Sequence, residues 1–141
     1  MGCIILKQED IKNRLAEIYS LIPDFDCKNC HNCCGPIIWF KPEEILIREY
    51  MKKNNIEYVV WSTDEFNKNN MRCPYIKNDK CVIYPVRPIV CRLQGVVSEL
   101  PCSSSNKKYL SKEEHKKIKD EFNKLLDETN GNEVFYSTRK L

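Results

Sequence analysis

Alanine is almost missing from this chain: Ala16 is the only one among 141 residues. A helical bundle built from strong helix formers would use it freely, so that architecture is set aside. Glycine is nearly as scarce, with only Gly2, Gly35, Gly95 and Gly131. They are too dispersed to form a Gly-rich phosphate loop, which argues against a nucleotide or complete methyl-donor site. Histidine occurs twice, at His31 and His115, and no Ser–His–Asp constellation is visible. An excess of one charge sign is also lacking, since 23 Lys and Arg face 20 Asp and Glu for a formal +3. That balance leaves no electrostatic footprint for nucleic acid, and thiolate ligation would lower it further. No stretch approaches the roughly 18 uncharged apolar residues of a membrane span. The opening MGCIILK is too short and too quickly charged for a secretory signal. The expectation is a cytoplasmic chain with neither membrane nor nucleic acid among its partners.

Cysteine, in contrast, is abundant, with nine in the chain. Without an export signal, such thiols serve metals or redox chemistry more often than disulfides, and an odd count suits a closed disulfide framework poorly. The length, with 42% hydrophobic and 30% charged residues, fits one globular domain over 1–141.

Hydrophobic periodicity predicts a first helix over 7–22, with Ile11, Leu15, Ile18, Tyr19 and Ile22 on one face and Pro23 ending it. After the loop CKNCHNCCGP (27–36) comes the short apolar run 37–40. Pro42 then marks the first turn of a helix running to about Lys53, with Glu43 and Glu44 suiting its positive end. The β-rich residues 57–61 read as a short strand. Thr63-Asp64-Glu65 read as the start of a short helix closed by 67–70. Residues 73–84, CPYIKNDKCVIY, read as a hairpin turning at Lys77-Asn78-Asp79-Lys80. Pro88 opens a short helix through Cys91 and Leu93, stopped at Gly95. A Ser-rich loop over 100–108 holds Cys102. Ser111 and Glu114 form a capping box for a last helix over 111–129, with Ile118, Phe122, Leu125 and Leu126 as its stripe and Gly131 as its stop. The lysines of this helix read as a solvated face.

Eight cysteines lie between 27 and 102: Cys27, Cys30, Cys33, Cys34, Cys73, Cys81, Cys91 and Cys102. Neither terminal helix carries one on its apolar face. Clustering in loops argues for ligation over packing. A C-x2-C turn brings two sulfurs onto one ion, and Cys27-x2-Cys30-x2-Cys33 repeats it, matching the first three ligands of a ferredoxin-type run. No Cys-Pro follows three residues on, so further ligands must come from the later cysteines. Cys34 adjoins Cys33, and adjacent side chains diverge, so one of the two turns to a second site or serves a redox role. Asn29, Asn32 and Gly35 suit a loop whose backbone N–H groups point at sulfur. Arg87 and Arg92 flank the later cysteines and would offset a negative cluster as its second shell. His31 reads as an exposed loop residue, His115 has no assigned role, and Cys3 is incidental because Leu6 stands where a myristoylation signal wants Ser or Thr. All-sulfur ligation admits zinc and iron–sulfur clusters and excludes magnesium and calcium. Paired knuckles are absent, which favours iron–sulfur, and eight thiolates could complete two centres.

The string Cys27-x2-Cys30-x2-Cys33-Cys34, Cys73-Pro74, Cys81-x-Ile83-Tyr84, Arg87-Pro88-x2-Cys91-Arg92 and Cys102 resembles the YkgJ-type cysteine-cluster family, a zinc- or iron-chelating domain with a CxxCxxCC motif. The resemblance implies metal chelation by these eight positions as an iron–sulfur cluster. A related cysteine segment occurs in flagellin lysine N-methylases, which are larger chains.

The expected fold is α+β and mainly helical: a small metal-stabilised domain with one short β-hairpin and irregular cysteine-rich loops. Its cysteine core is 27–102, flanked by helices 7–22 and 111–129. The expected function is that of an iron–sulfur protein carrying one or two [4Fe–4S] clusters. It would transfer electrons, or assemble or activate another metalloenzyme, as in an anaerobe. The partner is then that metalloenzyme or a redox protein, and the chain is not an enzyme by itself. The alternatives are a zinc-binding structural or interaction module and a cluster-bearing accessory to a methyltransferase.

Overall fold

Each helix stands where an apolar stripe meets a stop signal. In the computed structural model the described residues are 7–24, 34–35, 37–102, 109–129 and 134–136. Helix α1, Gln8–Ser20, buries Ile11, Leu15 and Ile18 on one face. Strand β1, Ile38–Phe40, runs directly into α2, Lys41–Lys53. Pro42 sits in its first turn, where a missing N–H costs nothing. Helix α3, Thr63–Lys68, is capped by Ser62: Glu65 N–H donates to Ser62 Oγ and Ser62 N–H to Glu65 Oε1, both at 3.2 Å. Asn70 and Met71 then turn the chain through left-handed φ values of 57° and 59°.

The expected hairpin is present as β2, Ile76–Lys77, antiparallel to β3, Lys80–Cys81, with Ile76 opposite Cys81. Asn78 and Asp79 adopt φ of 51° and 60°, the left-handed pair that a type I′ turn demands. A 3-10 turn at Tyr84–Val86 leads to α4, Ile89–Leu93, and Gly95 leaves it at φ 81°. Helix α5, Lys112–Thr129, begins on the predicted capping box, with Ser111 N–H donating to Glu114 Oε1 at 3.0 Å and Glu114 N–H to Ser111 Oγ at 3.1 Å. Among the described residues no helix is long and apolar enough to cross a membrane.

Two expectations are corrected. Residues 57–61 form no strand, and only Trp61 makes an isolated bridge. A side chain takes the place of a strand partner there, because the Tyr75 hydroxyl accepts from Val59 N–H at 3.0 Å and donates to Val59 O at 3.2 Å. The hairpin is also not the only β pairing: β1 pairs antiparallel with β4, Val134–Tyr136, with Trp39 opposite Phe135. The loop over 27–33, the tail of the Ser-rich loop and the Gly131 stop lie outside the described residues.

The apolar side chains gather into two cores. One is helical and joins Ile11, Leu15 and Ile18 of α1, Ile89 and Leu93 of α4, and Ile118, Phe122, Leu125 and Leu126 of α5. The other is built from Trp39, Ile47, Met51, Cys73, Tyr75, Ile83 and Val86, with Cys34 and Cys81 packed against it. Helix α2 lies between them, and its Leu46 touches both. The cysteine-bearing middle segment therefore has an apolar core of its own, where the sequence shows few long apolar runs.

Candidate metal centre

Five of the eight candidate ligands fall in described positions: Cys34, Cys73, Cys81, Cys91 and Cys102. Cys27, Cys30 and Cys33, with His31 and Cys3, lie outside them. Four segments carry Cys34, Cys73, Cys81 and Cys91, and each arrives for a local reason.

Cys34 precedes Gly35, where a Cβ would stand only 3.2 Å from the Met71 carbonyl oxygen. Glycine lets the end of the CxxCxxCC loop pass close to the turn that leads into Cys73. After Cys73-Pro74 the chain folds back, with Ile76 N–H donating to Cys73 O at 3.2 Å. The hairpin returns Cys81 to the same end, and Val82 N–H donates to Tyr75 O at 2.9 Å. Cys91 sits in the middle of α4.

The thiols feel one another. Cys73 is 7% exposed, and burial pushes its thiol up to about 11. The Tyr75 backbone N–H directed at its sulfur opposes that rise, while Cys81 adds to it. Burial also raises Cys91 well above the usual thiol range, as do Cys73, Cys81 and Cys34, and the Arg87 guanidinium pulls the other way. Among the described residues, the Tyr75 backbone N–H is aimed at the Cys73 sulfur, while Asn29 and Asn32, also expected to direct N–H groups at sulfur, lie outside them. No disulfide joins any two of the five described cysteines.

The two arginines differ in placement. Arg87 stacks over Tyr84 at 3.7 Å, donates from Nε to Tyr84 O at 2.9 Å and acts electrostatically on Cys91. Arg92 donates from Nε to Arg87 O at 2.8 Å and from Nη2 to Pro85 O at 2.9 Å, and lies over Tyr19 at 3.9 Å. It therefore ties the 3-10 turn to α4 and α1. Cys102 follows Pro101, whose carbonyl accepts from Gln94 Nε2 at 2.9 Å. His115 lies 3.4 Å from Glu99, on the far side of the chain sequence from the cysteine loop.

Two buried carboxylates flank this region, and the sequence reading missed their role. Glu44 accepts from Trp39 Nε1 at 2.6 Å, Tyr58 OH at 3.0 Å and Arg48 Nε at 2.5 Å. Glu43 accepts from Tyr19, Phe40 and Ile89. Both occupy the stripe of α2 that also buries Ile47 and Met51. That spacing was the available signal. Beside Cys73, a cleft of about 260 Å³ lined by Trp61, Asn69, Arg72 and Asn78 opens toward solvent.

The donor chemistry fits a soft ion. Cys34, Cys73 and Cys81 share one apolar surrounding, and burial keeps the Cys73 and Cys91 thiols protonated until a positive ion replaces the proton. Among the described residues, though, no group of three or more Cys, His, Asp or Glu is arranged to hold a metal by itself. Compared with known families, residues 26–125 match the model of CxxCxxCC, whose description reads "putative zinc- or iron-chelating domain". No curated protein and no solved structure matches the chain.

Proposed function

From the chain's membership of the CxxCxxCC family, to which it belongs over residues 26–125, we propose that it is an iron–sulfur protein that transfers electrons or activates another metalloenzyme. Its ligands are Cys27, Cys30, Cys33, Cys34, Cys73, Cys81, Cys91 and Cys102, with Arg87 offsetting the cluster's negative charge. One observation carries the reading: Cys34, Cys73 and Cys81, far apart in sequence, pack against one apolar core, and all three act electrostatically on Cys91. Bound there, an iron–sulfur cluster supplies one-electron redox chemistry. The chain's own residues hold it dry through Trp39, Tyr75 and Ile83, aim the Tyr75 N–H at sulfur and place a guanidinium nearby. Such hydrogen bonds and charges set a cluster's potential. The partner is a metalloenzyme or redox protein, and the setting is the reducing cytoplasm.

A zinc-binding structural module is the second reading, favoured by how little of Cys73 is exposed, since structural zinc sites are closed. Anaerobic purification followed by iron, sulfide and zinc quantification separates the two. Brown protein with equal iron and acid-labile sulfide is expected, at about four irons per cluster. Colourless, air-stable protein holding stoichiometric zinc would establish the zinc module instead.

A further inference from the structure

Glu43 is fully buried at the start of α2, and its two oxygens collect donors from three separate parts of the chain. Oε2 accepts from the Tyr19 hydroxyl of α1 at 2.5 Å and from the backbone N–H of Ile89, the first residue of α4, at 2.6 Å. Oε1 accepts from Phe40 N–H of β1 at 3.2 Å. The first N–H groups of a helix have no partner within it, and Pro88 at the N-cap offers no side-chain acceptor. Glu43 therefore caps α4 from another helix. That service matters because α4 has only five residues and cannot hold its own shape. Cys91 stands two residues beyond the capped N–H. Arg92, next in line, stacks on the same Tyr19 that donates to Glu43. A buried carboxylate is a costly way to cap a helix when an exposed Ser or Asp would serve.

We propose that Glu43 is a positioning residue of the metal centre, its carboxylate fixing α4 so that Cys91 faces Cys34, Cys73 and Cys81. This rests on the metal-centre reading above. The hold depends on charge. Ionised Glu43 accepts all three bonds, whereas protonated Glu43 must itself donate, and Tyr19 Oη is the acceptor within reach, so that bond reverses. Burial raises the Glu43 carboxyl to about 7, against the pull of Tyr19, the Ile89 and Phe40 N–H groups and Arg92. The facing titratable and charged groups are thus Tyr19 from α1 and Arg92 from α4, and β1 contributes only a backbone N–H. Because the Ile89 bond pulls the value down, it is the stronger when Glu43 is ionised.

The test uses the full chain and Zn2+ as the probe, competed against a chromophoric chelator. At a pH about one unit above 7, Glu43→Gln should weaken Zn2+ binding about tenfold or more, the usual scale for an outer-shell group. At a pH about one unit below 7, the wild type is protonated too, and the two affinities should converge. Equal affinities throughout, or a deficit independent of pH, would overturn the proposal. A second readout needs no metal: in reduced, metal-free protein, alkylation of Cys91 followed by peptide mapping should run faster in Glu43→Gln than in wild type. Unchanged Cys91 labelling in a variant with wild-type circular dichroism also overturns it. A wild type that binds no Zn2+ removes the zinc reading and leaves the iron–sulfur reading to the iron and sulfide quantification, and the labelling then decides the role of Glu43 alone.

Discussion

Two residues that contribute no ligand set how tightly the cysteine region closes. Gly35 leaves 3.2 Å between a would-be Cβ and the Met71 carbonyl oxygen, which is backbone and cannot swing away. Gly35→Ala should therefore push the Cys34 segment from the turn before Cys73, at about 1–3 kcal/mol of overpacking. The denaturation midpoint of metal-free protein should fall and Zn2+ affinity with it; unchanged values for both would mean that the approach is not needed. Trp39 matters as a donor as much as by its bulk. Trp39→Phe keeps most of the apolar volume but removes the Nε1–H that reaches Glu44. A buried carboxylate short of one donor should cost about 1–3 kcal/mol, read by chemical denaturation. The eight-cysteine string was legible from its spacing. Glu43 and Glu44 were legible only in part: they were read as partners of a helix dipole, yet they fall in the same helical register as Ile47 and Met51. A carboxylate in an apolar stripe signals a buried network of donors.

Among the elements, the helices were readable because each combines a period with a boundary signal, as in Ser111 with Glu114 or Pro42 before Glu43. The hairpin was readable because Asn78-Asp79 tolerates the left-handed φ values it needs. Asn78→Val would force a β-branched side chain into that region, at roughly 1–2 kcal/mol, and loosen the end where Cys73 and Cys81 meet. The expected result is a lower midpoint with the helical circular dichroism signal of α1 and α5 intact. Pairing of β1 with β4 was not readable, since the partners stand far apart in sequence and local pattern says nothing of distant company. The run 57–61 has strand composition, but its backbone partner is a tyrosine hydroxyl, which no propensity encodes. The junction of α1, α2 and α4 adds a pH dependence. Glu43 has a folded value of about 7 against 4.5 unfolded, so the native state holds the proton more tightly. The desolvation cost of the buried charge outweighs the three stronger bonds it accepts, so stability from this group is fully present below the unfolded value and declines as pH rises through the folded one, by about 3 kcal/mol at most. Thermal midpoints of wild type should lose ground to those of Glu43→Gln across that window. Parallel curves for the two would show that Glu43 does not titrate there.

At the level of the whole molecule, two cores share one helix, and this changes what metal removal should do. From the sequence, the entire span between Cys27 and Cys102 looks dependent on ligation, because it is rich in thiols and poor in apolar runs. In the structure, Trp39, Tyr75 and Ile83 in that span are each 0–1% exposed, packed with Ile47 and Met51 of α2. Burying such side chains stabilises by about 1.5–3 kcal/mol each, so part of the segment should stand without metal. A structural metal site can add on the order of 10 kcal/mol, and that contribution should be felt where the thiols are, not where the aromatics are. Hydrogen exchange on holo-protein and on protein stripped anaerobically by a chelator should therefore show a graded response. Amides of α1, α2 and α5 should keep their protection. Those at Gly35, at Arg72 and Cys73, at the hairpin end near Cys81 and in α4 should lose it. Uniform loss throughout the chain would mean that the two cores unfold as one, and equal protection in both states would mean that no metal contributes to the fold.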